Sequence, residues 1–137
     1  MSDFNLQVIE EFRANDGKVG GMFEKMSLVL LNTVGAKSGE PRVSPVAYAD
    51  LDGHRYVFAS KGGADTNPDW YHNLIAHPDV TVEVGGEKYE ATAKPLSGAE
   101  RDRVYSEQAS RLPQFAEYEE KVKGKRTIPV VELVPKS

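Results

Sequence analysis

Two short turn signals constrain this chain most: Asp52-Gly53 and Gly85-Gly86 each separate two strand-length runs. Such residue pairs tolerate the positive backbone angles of a two-residue hairpin turn, so each pair of runs is expected to fold back on itself. Residues 42–50 and 55–60 form the first predicted hairpin, and 80–84 with 88–94 the second. In the second, Val80, Val82 and Val84 alternate with Thr81 and Glu83, the pattern of a strand with one buried face. Runs at 27–34 and 127–134 add two strands, and Pro129 restricts the last to an edge or a bulge because it has no N–H.

Helical patterns separate these strands. Phe4, Val8, Ile9 and Phe12 share one face of a predicted helix over 4–14, with Asp3 as its cap and Asn15-Asp16-Gly17 as its end. Asn67 is the predicted cap of a second helix with Pro68 in its first turn, and that helix carries Trp70, Leu74 and Ile75 and stops before His77-Pro78. Ser97 and Glu100 have capping-box spacing for a helix toward Ala109, and 113–118 form a short further piece. About six strands, mostly hairpin-linked and interrupted by helices, favour an antiparallel barrel over a doubly wound parallel sheet. The expectation is a mainly β single domain over 1–137 with flanking helices. Its residues 1–21 would be a helix and loop free to move.

With 137 residues the chain is of single-domain size and can bury one core without staples. No run approaches the ~18 apolar residues of a membrane span, and no secretory leader pattern opens the chain. The absence of cysteine removes disulfides, thiolate metal sites, iron–sulfur clusters and a cysteine nucleophile, and fits a cytoplasmic location. A net charge of −4 argues against general nucleic-acid binding, so an anionic ligand needs a local basic cluster.

Several chemistries lack their motifs. Gly35-Ala36-Lys37-Ser38 is not a phosphate-binding P-loop, since Ala36 occupies the position of the glycine before Lys-Ser. No G-x-G-x-x-G follows a strand, and no G-x-S-x-G surrounds a serine. His54, His72 and His77 lack metal-ligand spacing, so no metal site is expected. What remains is a basic, small-residue constellation on two loops at strand ends: 35–42, with Lys37 and Arg42, and 59–64, with Lys61. Their glycines would let backbone N–H groups approach an anion, while the cations supply charge. By composition alone this remains equally a pair of ordinary solvated turns. By spacing alone Trp70 reads as a core aromatic and Asn73 as a solvated helix residue.

Four motifs resolve the ambiguity. They are Thr33-x-Gly35-x-Lys37-Ser38-Gly39-x-Pro41-Arg42-x-x-Pro45, Ala59-Ser60-Lys61-Gly62-Gly63, Asn67-Pro68-x-Trp70-x-x-Asn73-Leu74, and Arg126-Thr127-Ile128-Pro129-Val130-Val131. In this order and spacing, over about residues 28–135, the chain resembles the deazaflavin-dependent nitroreductase and quinone reductase family. The resemblance implies a split β-barrel, like that of flavin mononucleotide (FMN)-binding proteins, using reduced coenzyme F420. It assigns Lys37 and Arg42 to the cofactor phosphate, Pro45 to its side, and Ala59, Ser60 and Lys61 to the deazaflavin and its side chain. Trp70 and Asn73 would close the cofactor groove. Ala36 stands where the family often has a second basic residue, which implies one phosphate contact fewer.

The resemblance also places the acceptor wall near 112–118. There Leu112 and Phe115 stand beside Tyr118, the one phenol in that segment. Ser60 and Tyr118 are the candidate catalytic donors, and Leu112, Phe115 and Tyr118 the candidate substrate contacts. The implied reaction is hydride transfer to a planar, lipophilic, electron-poor acceptor such as a quinone, nitroaromatic or activated enone. The alternatives are an FMN-dependent oxidoreductase on the same barrel and a non-catalytic deazaflavin carrier or sensor. The apolar stripe of the first helix would also allow a transient contact with the inner face of a membrane.

Overall fold

The computed structural model describes residues 3–15, 28–64 and 66–136. Six strands carry the fold: β1 (Leu28–Val34), β2 (Pro41–Leu51), β3 (His54–Phe58), β4 (Asp79–Val84), β5 (Glu87–Pro95) and β6 (Val130–Pro135). All neighbours run antiparallel, and the order β1-β2-β3-β6-β5-β4 closes as β4 returns to β1. Both predicted hairpins form. Asp52 and Gly53 take φ of 53° and 82°, and Gly85 takes 56°, the left-handed values that such turns demand.

The last strand differs from its prediction. It starts at Val130 rather than Thr127, and it lies between β3 and β5 instead of at an edge. Closure of the barrel removes edges, so a proline in the part of β6 paired on both sides would break a ladder on one side or the other. Pro129 sits just outside the strand, and its carbonyl accepts the Ala59 N–H at 3.0 Å.

Alternation sorts the side chains into layers. Val29, Leu31, Val46, Val57, Val82 and Leu133 fill the barrel, and Trp70 and Leu74 of helix α2 (Asp69–Ala76) plug the end where β1 turns into β2. Helices α3 (Gly98–Arg111) and α4 (Gln114–Val122) cover the outside of β2, β3 and β6, packing Val104, Tyr105 and Phe115 onto Tyr56, Phe58 and Val130. Ser97 precedes α3 but makes no side-chain capping bond, because Gly98 enters with φ of 59°, outside the helical range a capping box needs.

Helix α1 (Asp3–Ala14) lies over β1 and β2, with Val8, Ile9 and Phe12 packed on Leu28 and Leu30. The predicted Asp3 cap and the Phe4 side chain lie outside the described residues, as do Asp16, Gly17 and the loop that follows. The apolar stripe does not face outward as membrane contact requires: Phe12 is 1% exposed. Among the described residues, no helix is long and apolar enough to cross a membrane.

A polar latch fastens α1. Arg13 donates from Nε and Nη2 to the two Glu83 oxygens at 3.1 and 2.8 Å, and Asn32 Nδ2 donates to Glu83 Oε2 at 2.9 Å. The Arg13 hydrogen bond holds the Glu83 carboxyl below its usual range, partial burial opposes this, and Asn32 adds to it. Folded Glu83 therefore gives up its proton more readily than unfolded Glu83. Its contribution is complete above the unfolded value near 4.5 and disappears as pH falls through the lower folded value. Thermal melts between about pH 5 and pH 3 should show wild type losing stability more steeply than Glu83→Gln. Parallel curves would remove Glu83 from the latch.

Candidate functional site

Strand β2 pairs with β1 from Pro41 to Ala47, but with β3 only from Tyr48 to Leu51. Over 41–47 one side of β2 therefore has no strand partner, and β3 has already turned toward Pro129. This is the split in the barrel. Val43, Pro45 and Ala47 project from the outer face of β2 at period two and are half-buried. Ala47 packs against both the α1 cluster and the α3/α4 cluster, so the slot runs between those two layers. Pro45, with no N–H to satisfy, suits an open strand side.

At one end of the slot, the 35–40 turn faces α2 across a cavity of about 370 Å³. Gly35, Ala36, Lys37, Ser38, Arg42, Asp69, His72 and Asn73 line it. The two glycine N–H groups of this turn are not offered to an anion as expected. Gly35 N–H donates to Glu40 O at 2.8 Å and Gly39 N–H to Gly35 O at 3.0 Å. Ala36 N–H donates to Asn73 Oδ1 at 2.9 Å and Glu40 N–H to Ser38 Oγ at 3.2 Å. Gly35 is needed for space instead: a Cβ there would collide with Ser38 Oγ. Charge must come from side chains, and these are available. Lys37 has no ion-pair partner among the described residues, and exposed Arg42 reaches only exposed Glu40, at 3.5 Å.

On the other side of the slot, Lys61–Gly63 form a single 3₁₀ turn in which Lys61 takes φ of 49°. Ser60 is half-buried with its hydroxyl unpartnered among the described residues, and Lys61 Nζ reaches Thr66 Oγ1 at 3.4 Å. Helix α4 packs on this turn: a Cβ on Gly63 would lie 2.8 Å from Lys121 Cδ and 3.5 Å from Tyr118 Cα. The half-buried Tyr118 ring stands against Phe115 at 5.3 Å between centroids.

The expected site residues fall into three groups. Lys37 and Arg42 line the end cavity, Pro45 lies on the unpartnered stretch of β2, Ser60 and Lys61 lie on the loop that follows β3, and Leu112 and Tyr118 are half-buried in the α3/α4 layer that Ala47 also packs against. Asn73 and Trp70 are 9% exposed and do structural work: Asn73 ties the 35–38 turn to Thr33 and Ala36, and Trp70 plugs the barrel. Trp70 is thus the core aromatic that spacing alone suggests, whereas Asn73 is not the solvated residue that spacing suggests and also lines the end cavity. Ala59 is fully buried and Phe115 is 1% exposed, its ring against Phe58, Tyr105 and Tyr118. Phe115 is therefore packed inside the α3/α4 layer rather than open to a slot.

Asn67, read as a helix cap, instead accepts a hydrogen bond from Arg126 Nη1 at 2.8 Å, and Pro68 holds the cap position of α2. Arg126 itself was visible only as part of a motif. No local signal marks its role, because its partners lie about sixty residues away. A larger depression of about 530 Å³ at the opposite barrel end includes Asp50, His54, Arg55, Glu132 and Lys136. Its basic side chains are already paired: Arg55 with Asp50, His54 with Glu132 and Lys136 with Asp79.

The family model for F420H(2)-dependent quinone reductases matches residues 6–135. The chain belongs to this F420H(2)-dependent quinone reductase family. An F420H(2)-dependent quinone reductase of Mycobacterium tuberculosis is 36% identical over 129 residues, covering 89% of this chain and 83% of that protein. A solved F420-H2 dependent reductase, FDR-A, aligns with a TM-score of 0.68 at 37% identity over 77% of this chain and 92% of its own. A second solved structure, described as a domain-swapped dimer, aligns with a TM-score of 0.71 at 32% identity over 93% and 94%. The resemblance carried by the four motifs and the split antiparallel barrel are both borne out.

Coenzyme F420 is the cofactor of the quinone reductase family, and the residues present fit such a group. An uncommitted lysine and a loosely paired arginine stand at the end of a slot whose floor is Val43, Pro45 and Ala47. That is a donor set for a phosphate beside an apolar bed for a planar ring. Asn73 holds the 35–40 turn to β1, so Asn73→Ala leaves the Ala36 N–H and Thr33 without this partner. Stability should fall by about 1–3 kcal/mol in urea denaturation, the scale of a lost buried hydrogen bond. An unchanged midpoint would show that the turn holds itself.

Proposed function

We propose that this chain reduces quinones with a hydride from coenzyme F420, bound in the slot between β2 and the 59–64 loop. The observation that carries this reading is the unpartnered side of β2 over 41–47, lying between two loops that bear Lys37, Arg42 and Lys61. When bound, the reduced cofactor supplies a hydride to the acceptor.

The protein's part is binding, orientation and protons. Arg42 offers a planar fork to a phosphate oxygen pair and Lys37 a mobile point charge. Pro45 and Ala47 present a flat apolar surface with no side-chain donor to compete. Ser60 and Lys61, held on the loop, meet the ring and its side chain, and the Ser60 hydroxyl is free to donate. Tyr118 provides the aromatic wall on which a planar acceptor stacks, with Phe115 bracing it from behind. With Leu112 and Phe115 in this segment, few protons come from the wall, so a quinol oxygen takes its proton from water or Tyr118. This composition favours a quinone or similar planar lipophile. A chain with no cysteine suits the cytoplasm, where such a reductase would meet its acceptor.

Fluorescence titration with coenzyme F420 and steady-state reduction of menadione test the reading. Coenzyme F420 should bind at least about tenfold more tightly than FMN, a gap of ~1.4 kcal/mol. Comparable affinities would overturn the cofactor assignment. Arg42→Ala should weaken cofactor binding by about 1.5–3 kcal/mol with little change in apo-protein melting, because its side chain is a rim group. A collapsed melting temperature would make Arg42 structural.

Tyr118→Phe should reduce menadione turnover modestly and Tyr118→Ala more, with cofactor affinity nearly constant in both. The alanine loses the stacking surface, while the phenylalanine loses only a phenol. Undiminished turnover in Tyr118→Ala would place the acceptor elsewhere.

A further inference from the structure

We propose that Arg126 is a positioning residue whose guanidinium fixes the 59–64 loop in the shape that presents Ser60 and Lys61 to the cofactor. The inference rests on the functional reading above and assigns a task to a residue outside the lining of the end cavity. Arg126 Nε donates to Ala64 O at 3.0 Å, and Nη2 donates to Ala64 O at 2.8 Å and Ser60 O at 2.9 Å. Nη1 donates to Ala59 O at 3.1 Å and to Asn67 Oδ1 at 2.8 Å. The two ends of the loop thus close around one planar cation.

Carbonyl oxygens aimed at a common point repel one another, so this loop shape is favourable only with a cation at its centre. The backbone carries strain as well. Lys61 takes φ of 49°, a left-handed value that a lysine keeps only where its surroundings impose it. Inside the loop, Gly63 N–H donates to Ser60 O at 3.0 Å and Ala64 N–H to Lys61 O at 3.1 Å, a single tight turn. Such a turn does not persist without outside support.

Arg126 is itself anchored, its own N–H donating to Val122 O at 3.1 Å at the end of α4. The clamp therefore links the loop to the helix that carries Tyr118. The neighbouring buried arginine has another task. Arg101 Nε and Nη2 donate to Ile128 O at 3.1 and 2.9 Å, which holds the connector against α3. A lysine at 126 would keep the positive charge but lacks the planar fork that reaches several carbonyls together. Charge and geometry can thus be separated by one substitution.

The test combines amide hydrogen exchange of the apo-protein with fluorescence titration of coenzyme F420, for wild type, Arg126→Lys and Arg126→Gln. In wild type, the Gly63 and Ala64 amides should be protected. In both variants these two amides should lose protection while β1 and β5 amides keep theirs, and the cofactor dissociation constant should rise by roughly tenfold or more. Retained loop protection in Arg126→Lys, or unchanged affinity in both variants, would overturn the proposal. So would loss of protection spread evenly over barrel and loop, which describes a general structural residue. Should neither variant fold, wild-type exchange decides: protected loop amides support the clamp, and free-peptide rates overturn it. If wild type fails to bind coenzyme F420, the functional reading falls, while the exchange result still judges the clamp.

Discussion

The structure depends on β3 staying with β6 after it parts from β2: one step past the Phe58–Val130 pair, Ala59 N–H still donates to Pro129 O at 3.0 Å. Beyond this point the chain bends away from β2, which goes on with β1 as its only ladder from Pro41 to Ala47. The slot exists because of that divergence. Its floor is the outer face of a strand whose other face still fills the barrel with Val46. The binding surface is therefore as rigid as the core behind it, the arrangement that lets a scaffold hold a planar group without reorganising.

The two ends of the slot are built on opposite principles. At the 35–42 turn the N–H groups of Gly35, Ala36, Gly39 and Glu40 are spent on protein acceptors, and Lys37 and Arg42 present exposed charges. They suit an anion reached in several poses on a chain that is acidic overall. At the 59–64 loop the carbonyls close on a guanidinium, and the backbone is held in angles it would not choose. An adaptable charged end beside a fixed end matches what hydride transfer asks: loose capture of the tail, strict placement of the ring.

Much of the architecture was legible because hairpin chemistry is local. Asp52-Gly53 and Gly85-Gly86 need only their own backbone angles to reverse the chain, and the valines at 80, 82 and 84 need only the two-residue period to define a face. Boundaries fared worse where a distant contact decided them. Pro129 looked like an edge marker but is the residue just before a central strand, since closure of the barrel is a property of all six strands together. Asn67 looked like a helix cap, and its amide oxygen went to Arg126. In each case a strong tertiary partner outweighed a weak local preference.

The site divides the same way. The residue types alone marked Lys37, Arg42 and Lys61 as a basic cluster, and the resemblance carried by the four motifs added Ser60, Tyr118 and the expected roles. Whether a side chain faces ligand or core was decided by packing. Phe115 and Tyr118 sit three residues apart on one helix, yet the first is buried among Phe58 and Tyr105 and the second stands half-open. Spacing on a helix gives direction only to within a turn, and the depth of the neighbouring layer decides which residue it covers. The sequence by itself thus determined the strands, their hairpins and the chemical inventory of the site. The tertiary structure alone decided where β3 leaves β2, which arginine closes the loop, and which aromatic remains at the surface. Those depend on contacts between residues tens of positions apart, which no local pattern encodes.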